Sequence, residues 1–137
     1  MAYTIRRADY FYTTVQDEPG EGYRLLSHLA EVGINLLAFT GTLVGPMRVQ
    51  LTLFPNDPSK MLDVARKAGL ALDGPHAALL VQGDDELGAI ARIHLRLNEA
   101  RVNAYASSGV ADGRGSFGYI LYVRPEDYES AARALGV

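Results

Sequence analysis

The chain contains no cysteine, which excludes disulfide scaffolds, thiolate zinc sites and cysteine nucleophiles together and fits a reducing compartment. No apolar run approaches the roughly 18 residues of a membrane span. The opening residues, Met1-Ala2-Tyr3-Thr4-Ile5-Arg6-Arg7-Ala8-Asp9, have no apolar stretch behind the two arginines, so no secretory signal is expected. A basic excess is also missing. Thirteen Lys and Arg face 16 Asp and Glu, for a net charge of −3, whereas binders of nucleic acid or anionic lipid need a basic footprint. Histidine is scarce: only His28, His76 and His94 occur, and no nucleophile-base pair or metal-ligand spacing surrounds them. These absences predict a cytoplasmic protein that is not an enzyme, with no cofactor, no metal, no nucleic-acid partner and no membrane partner.

What is present is ordinary globular material. With 48% apolar and 21% charged residues in 137, the chain is too apolar for disorder. It also repeats itself. At an offset of 68, Asp17, Glu18, Gly20, Arg24, Leu29, Glu31, Asn35, Ala38, Gly41, Gly45 and Leu53 fall on Asp85, Glu86, Gly88, Arg92, Leu97, Glu99, Asn103, Ala106, Gly109, Gly113 and Leu121. After one deletion, Pro58, Ala65, Arg66 and Gly69 fall on Pro125, Ala132, Arg133 and Gly136. That period exceeds any solenoid repeat and points to a duplicated small domain.

Each half has the same element pattern. Tyr10 to Gln16 alternates aromatic and β-branched residues, as a strand does. Asp17-Glu18-Pro19-Gly20 then opens a helix in which Leu25, Leu29 and Val32 recur at helical spacing, ending at Gly33. Ile34 to Phe39 is strand-like. Val49, Leu51 and Leu53 alternate with polar residues in a further strand. Asp57-Pro58-Ser59 starts a second helix that ends at Gly69, and Leu70 to Leu72 is expected as a short last strand. The second half runs through a strand at His76 to Gln82, a helix at Glu86 to Ala100, strands at Val102 to Ala106 and Ser116 to Val123, and a helix from Pro125 to Leu135. The order β-α-β-β-α-β predicts an α+β fold of two ferredoxin-like units in tandem, with antiparallel sheets and helices on one face. The expected units are residues 1–74 and 75–137. The second has no room for its own last strand, so residues 1–6 are expected to fill that edge, which proteins avoid leaving open.

Three features narrow the family: Asp17-Glu18-Pro19-Gly20 between the first strand and helix, the segment Leu29-Ala30-Glu31-Val32-Gly33-Ile34-Asn35-Leu36, and the repetition of both as Asp85-Glu86-Leu87-Gly88 and Leu97-Asn98-Glu99-Ala100-Arg101-Val102-Asn103-Ala104. Together they resemble the ACT domain, the small regulatory module of amino-acid metabolism, in two tandem copies. The resemblance implies copies paired side by side and a non-catalytic role. It implies a small-molecule ligand, an amino acid, held at the interface between paired copies by the first loop and by the Asn that opens the second strand. One site would use Asp17, Glu18, Pro19, Gly20 and Asn35. The other would use Asp85, Glu86, Leu87, Gly88 and Asn103. Leu87 replaces the motif's proline and Arg101 stands where the first copy has Gly33, which favours the first site. The resemblance further implies a regulated enzyme as partner, and the large sheet face a homodimer. The alternative within the same fold is a dimerisation module that binds a partner protein and no ligand.

Two rival readings fare worse. Arg114-Gly115-Ser116-Phe117-Gly118-Tyr119-Ile120-Leu121-Tyr122 is similar to an RNA-binding strand motif. However, Phe117 and Tyr119 correspond to Val49 and Leu51 of the first half, which reads as a buried face. Catalysis by histidine is opposed by the repeat, because His94 corresponds to Leu26.

Overall fold

The computed structural model describes residues 3–137. The first strand, β1, runs without interruption over Tyr3–Gln16, longer than the segment from Tyr10 that alternation alone suggests. The polar run Arg6-Arg7-Ala8-Asp9 stays extended because its charged side chains are exposed while Ala8 is buried. The remaining elements follow as α1 (Glu21–Glu31), β2 (Leu36–Leu43), β3 (Arg48–Pro55), α2 (Pro58–Ala68), β4 (Asp73–Asp84), α3 (Ala89–Glu99), β5 (Ala104–Ala111), β6 (Ser116–Val123), a 3-10 turn (Pro125–Asp127) and α4 (Tyr128–Ala134).

Two expectations are corrected. Leu70 to Leu72 is not a strand: it leads from α2 into β4, and Leu70 and Leu72 pack against the core instead. The strand expected from His76 starts at Asp73, with Gly74-Pro75 inside it. A glycine-proline pair reads locally as a break, yet here Gly74 passes so close to the Tyr10 carbonyl and the Phe11 ring that a Cβ would meet them at 2.8 Å.

The chain divides into two compact units, Asp9–His76 and Ala77–Val137, the latter together with the N-terminal residues up to Ala8. We call them the N-terminal and C-terminal units. Residues 1 and 2 of the expected edge-filling segment lie outside the described residues.

In the N-terminal unit the strand order is β2-β3-β1-β4. β1 and β3 are antiparallel, with Phe11 opposite Leu53 and Val15 opposite Val49, and β2 pairs antiparallel with β3. One sheet face presents Phe11, Leu51 and Leu53 to Leu25 and Leu29 of α1 and Met61 of α2, closing a core. Asp57 caps α2, its carboxylate accepting from the Lys60 N–H at 3.1 Å.

The C-terminal unit has the order β1-β4-β6-β5. Leu79 faces Leu121 and Val81 faces Tyr119 across an antiparallel β4-β6 pair. Its core joins these residues to Ile93 and Leu97 of α3 and to Tyr128, Ala131 and Ala132 of α4, with Tyr3 and Ile5 packed against it. The start of β1 is tied to this unit by polar contacts too. The Thr4 hydroxyl donates to the Gln82 carbonyl at 3.4 Å. Arg7 forks onto Glu129 at 2.7 and 2.9 Å, and its guanidinium lies 5.6 Å from the Tyr128 ring centre. Among the described residues, no helix is long and apolar enough to cross a membrane.

Candidate functional site

The loop between β4 and α3 carries Asp85, Glu86, Leu87 and Gly88. It forms one wall of a concavity of about 620 Å³. The first turn of α3 (Ala89, Ile90), the far end of β5 (Gly109, Val110, Ala111) and Phe117 and Tyr119 of β6 complete the lining. All belong to the C-terminal unit.

The local sequence explains the loop. Gly88 takes φ 81° at the helix N-cap, a left-handed conformation that an L side chain would strain. Gly20 does the same before α1, at φ 91°. Neither helix start has a side-chain cap. The first helical N–H of each is taken by its own loop, Ala89 donating to the Glu86 carbonyl at 3.1 Å and Glu21 to the Glu18 carbonyl at 3.3 Å, and the positive end of the helix dipole lies behind that loop. The loop is pinned at its root, where the Asp85 N–H donates to the Gly115 carbonyl at 2.9 Å. It is pinned along its length by Arg92, which reaches the Leu87 carbonyl and the Glu86 carboxylate, both at 3.4 Å. The N-terminal unit repeats the root contact, Asp17 N–H to Met47 carbonyl at 2.8 Å. There Arg24 pairs with Glu21, in the first turn of α1.

The floor of the concavity is less apparent in the sequence. Tyr119, only 6% exposed, places its hydroxyl 2.6 Å from Nε2 of His94 on α3, with the two rings edge to face. At the corresponding positions the N-terminal unit has Leu51 and Leu26. A leucine pair in one half is thus a hydrogen-bonded polar pair in the other. The residues lie 25 apart, and the only local clue is that both depart from leucine at the same offset. Gly109 is part of this exchange: a Cβ there would meet Tyr119 Cδ1 at 2.7 Å.

The site residues expected from sequence are therefore only partly gathered. Asp85, Glu86, Leu87 and Gly88 share the concavity; Asn103 does not line it. Asn103 precedes β5, whose far end does, and at ~3.3 Å per residue that strand separates the two by about 23 Å. Asn35 is exposed, and its backbone is occupied by Asn56: the Asn35 N–H donates to Asn56 Oδ1 at 3.3 Å, and its carbonyl accepts from the Asn56 N–H at 2.9 Å. Asp17, Glu18, Pro19 and Gly20 form the matching exposed loop before α1. A concavity of about 380 Å³ in that unit is lined by Thr13, Arg24, Leu25, His28, Ala68 and Leu70 among others, and none of Asp17, Glu18, Pro19, Gly20 or Asn35 lines it.

The third histidine, His76, lies 3.0 Å from Asp73 and stacks on Tyr12 at 4.8 Å. No group of three or more His, Cys, Asp or Glu among the described residues could hold a metal ion.

No protein-family model matches the chain, and no curated protein sequence matches it significantly. Solved structures do. A protein of Bacteroides thetaiotaomicron superposes with a TM-score of 0.79 at 17% identity, over 96% of this chain and 88% of that one. The ligand-free regulatory subunit of aspartate kinase from Thermus thermophilus gives 0.63 at 17% identity, over 97% and 93%. The same subunit from Thermus flavus gives 0.60 at 18% identity, over 98% and 93%. The fold is ACT-like. At these identities the likeness is one of fold, and the regulatory subunits are what the chain is similar to.

Proposed function

We propose that this chain is a non-catalytic regulatory protein built of two tandem ACT-type units, residues 1–6 completing the sheet of the second. Its ligand is a small metabolite, an amino acid, and its bound state is read by a partner enzyme. The observation that carries this reading is the concavity at Asp85–Gly88. It sits against an uncapped helix start in a fold shared with regulatory subunits.

The chemistry suits a zwitterion. The first-turn N–H groups of α3 beyond Ala89, whose own N–H is bonded to the Glu86 carbonyl, and the helix dipole favour a carboxylate. The Asp85 carboxylate, on the same loop, favours an ammonium group, while Glu86 is paired with Arg92. The loop at Asp17–Gly20, with Asn35, is the second candidate site, and a homodimer is the proposed assembly.

A thermal-shift screen of the common amino acids tests this. A ligand that binds only the folded chain stabilises it by about 2.7 kcal/mol at 100 times its Kd, so the melting temperature should climb with concentration. Asp85→Asn should reduce a shift that arises at the second loop, and Asn35→Ala one that arises at the first. A shift that survives both variants places the ligand elsewhere. No shift with any amino acid, on well-folded protein, favours the alternative of a dimerisation module that contacts a partner without a ligand.

A further inference from the structure

We infer that the concavity in the C-terminal unit selects amino acids with an apolar side chain, through Leu87, Ile90 and Val110. This rests on the reading that the site takes an amino acid.

Leu87 is 100% exposed, Val110 73% and Ile90 39%, and all three line the same concavity. Single exposed apolar residues are commonplace. Three around one hollow give it an apolar lining that a ligand side chain can meet. The fold does not demand them. Sixty-eight residues earlier, the N-terminal unit builds the same helix and the same strand with Pro19, Gly22 and Thr42 at these positions. Two further exchanges shape the hollow. Leu43 becomes Ala111, which opens space, and Val49 becomes Phe117, whose buried ring lines the interior.

The occupant is a free amino acid because apolar contact and charge of both signs meet in one place. The acidic pair Asp85-Glu86 precedes Leu87, and the start of α3 follows it. About 620 Å³ falls within the range of small-molecule pockets. In the N-terminal unit Gly22 and Thr42 replace Ile90 and Val110, and the bulkier Leu43 replaces Ala111, so this class of ligand should bind one unit of the two.

Isothermal titration of the full chain with leucine, isoleucine, valine and phenylalanine, against serine, aspartate and lysine, tests the inference. The apolar group should bind at least ten-fold more tightly, with one site per chain. Val110→Thr, which installs the residue the other unit uses and nearly preserves shape, should weaken leucine about ten-fold without altering the melting temperature of the free protein by more than a degree or so. Equal or tighter binding of serine, aspartate or lysine would overturn the inference and leave the proposed function standing. Binding of none of the seven would overturn the inference, and the wider thermal-shift screen then decides the proposed function. N-acetyl-leucinamide, which lacks both charges, should fail to bind; if it matches leucine, the hollow receives an apolar polypeptide segment and the inference is wrong.

Discussion

Gly109 and Gly41 make a matched experiment, because they stand at the same position in β5 and β2 with different neighbours. A Cβ on Gly109 would meet Tyr119 Cδ1 at 2.7 Å and the Gly118 carbonyl at 3.2 Å. A Cβ on Gly41 would meet only Leu51 Cδ2 at 3.6 Å and Val49 Cγ1 at 3.8 Å, ordinary contact distances. Gly109→Ala must push the Tyr119 ring aside and stretch its 2.6 Å hydrogen bond to His94. Overpacking of this kind costs roughly 1–3 kcal/mol. Loss of a glycine from the unfolded chain returns about 0.4–1 kcal/mol, so the net destabilisation is about 1–2 kcal/mol. Gly41→Ala keeps only the favourable part and should be neutral or stabilising by about 0.5 kcal/mol. Urea denaturation of both variants measures the difference directly. The cycle closes with Tyr119→Leu, which copies Leu51. In that background only the 3.2 Å approach to the Gly118 carbonyl remains, so Gly109→Ala should lose most of its cost, a coupling of about 1 kcal/mol between the two sites. If Gly109→Ala costs no more than Gly41→Ala, or costs the same with Leu at 119, the steric reasoning fails.

Other perturbations follow from single contacts. Tyr128→Phe removes a buried hydroxyl that donates to the Ala78 carbonyl at 2.9 Å, and should lower stability by about 1 kcal/mol; an unchanged urea midpoint would contradict it. Asp57→Ala uncaps α2 and should cost about 1 kcal/mol, Asp57→Asn much less; equal effects would show that the cap contributes nothing. Hydrogen bonding from Arg7 holds the Glu129 carboxyl below the ordinary carboxylate range. A carboxylate whose pKa is depressed by folding adds stability above its unfolded-state value and loses it as pH falls through the folded one. Glu129→Gln should therefore be slightly less stable than the parent at neutral pH, with the gap closing on acidification; a gap constant down to about pH 3 would refute the ion pair's contribution.

Much of the local turn and capping chemistry was legible in the sequence. The acidic loops before both helices, their glycines and the helix-start Asp57-Pro58 are short-range signals, and backbone sterics and capping act within three or four residues. The Tyr119–His94 pair was not legible, because its partners come from a strand and a helix that only packing brings together. Asn35 and Asn103 illustrate the same limit. Their equivalence is plain in the sequence, but distance along a strand keeps Asn103 out of the concavity that its own loop lines.

The sequence by itself determined the element order and the offset of 68. α1 and α3, β2 and β5, and β3 and β6 begin and end at positions separated by that number. Periodicity and turn chemistry are local, so a copied sequence rebuilds the same elements. Tertiary structure decided how the chain is shared out. β1 and β4 run on past the expected breaks at Arg6–Asp9 and Gly74-Pro75, and each contributes an end to both compact units. Strand length is set by the partners a strand finds, not by its own residues. Tertiary structure also singled out the loop at 85–88 as one wall of a hollow. The size and polarity of such a hollow depend on residues from β5 and β6 that are distant in the chain and adjacent only once the sheet has formed.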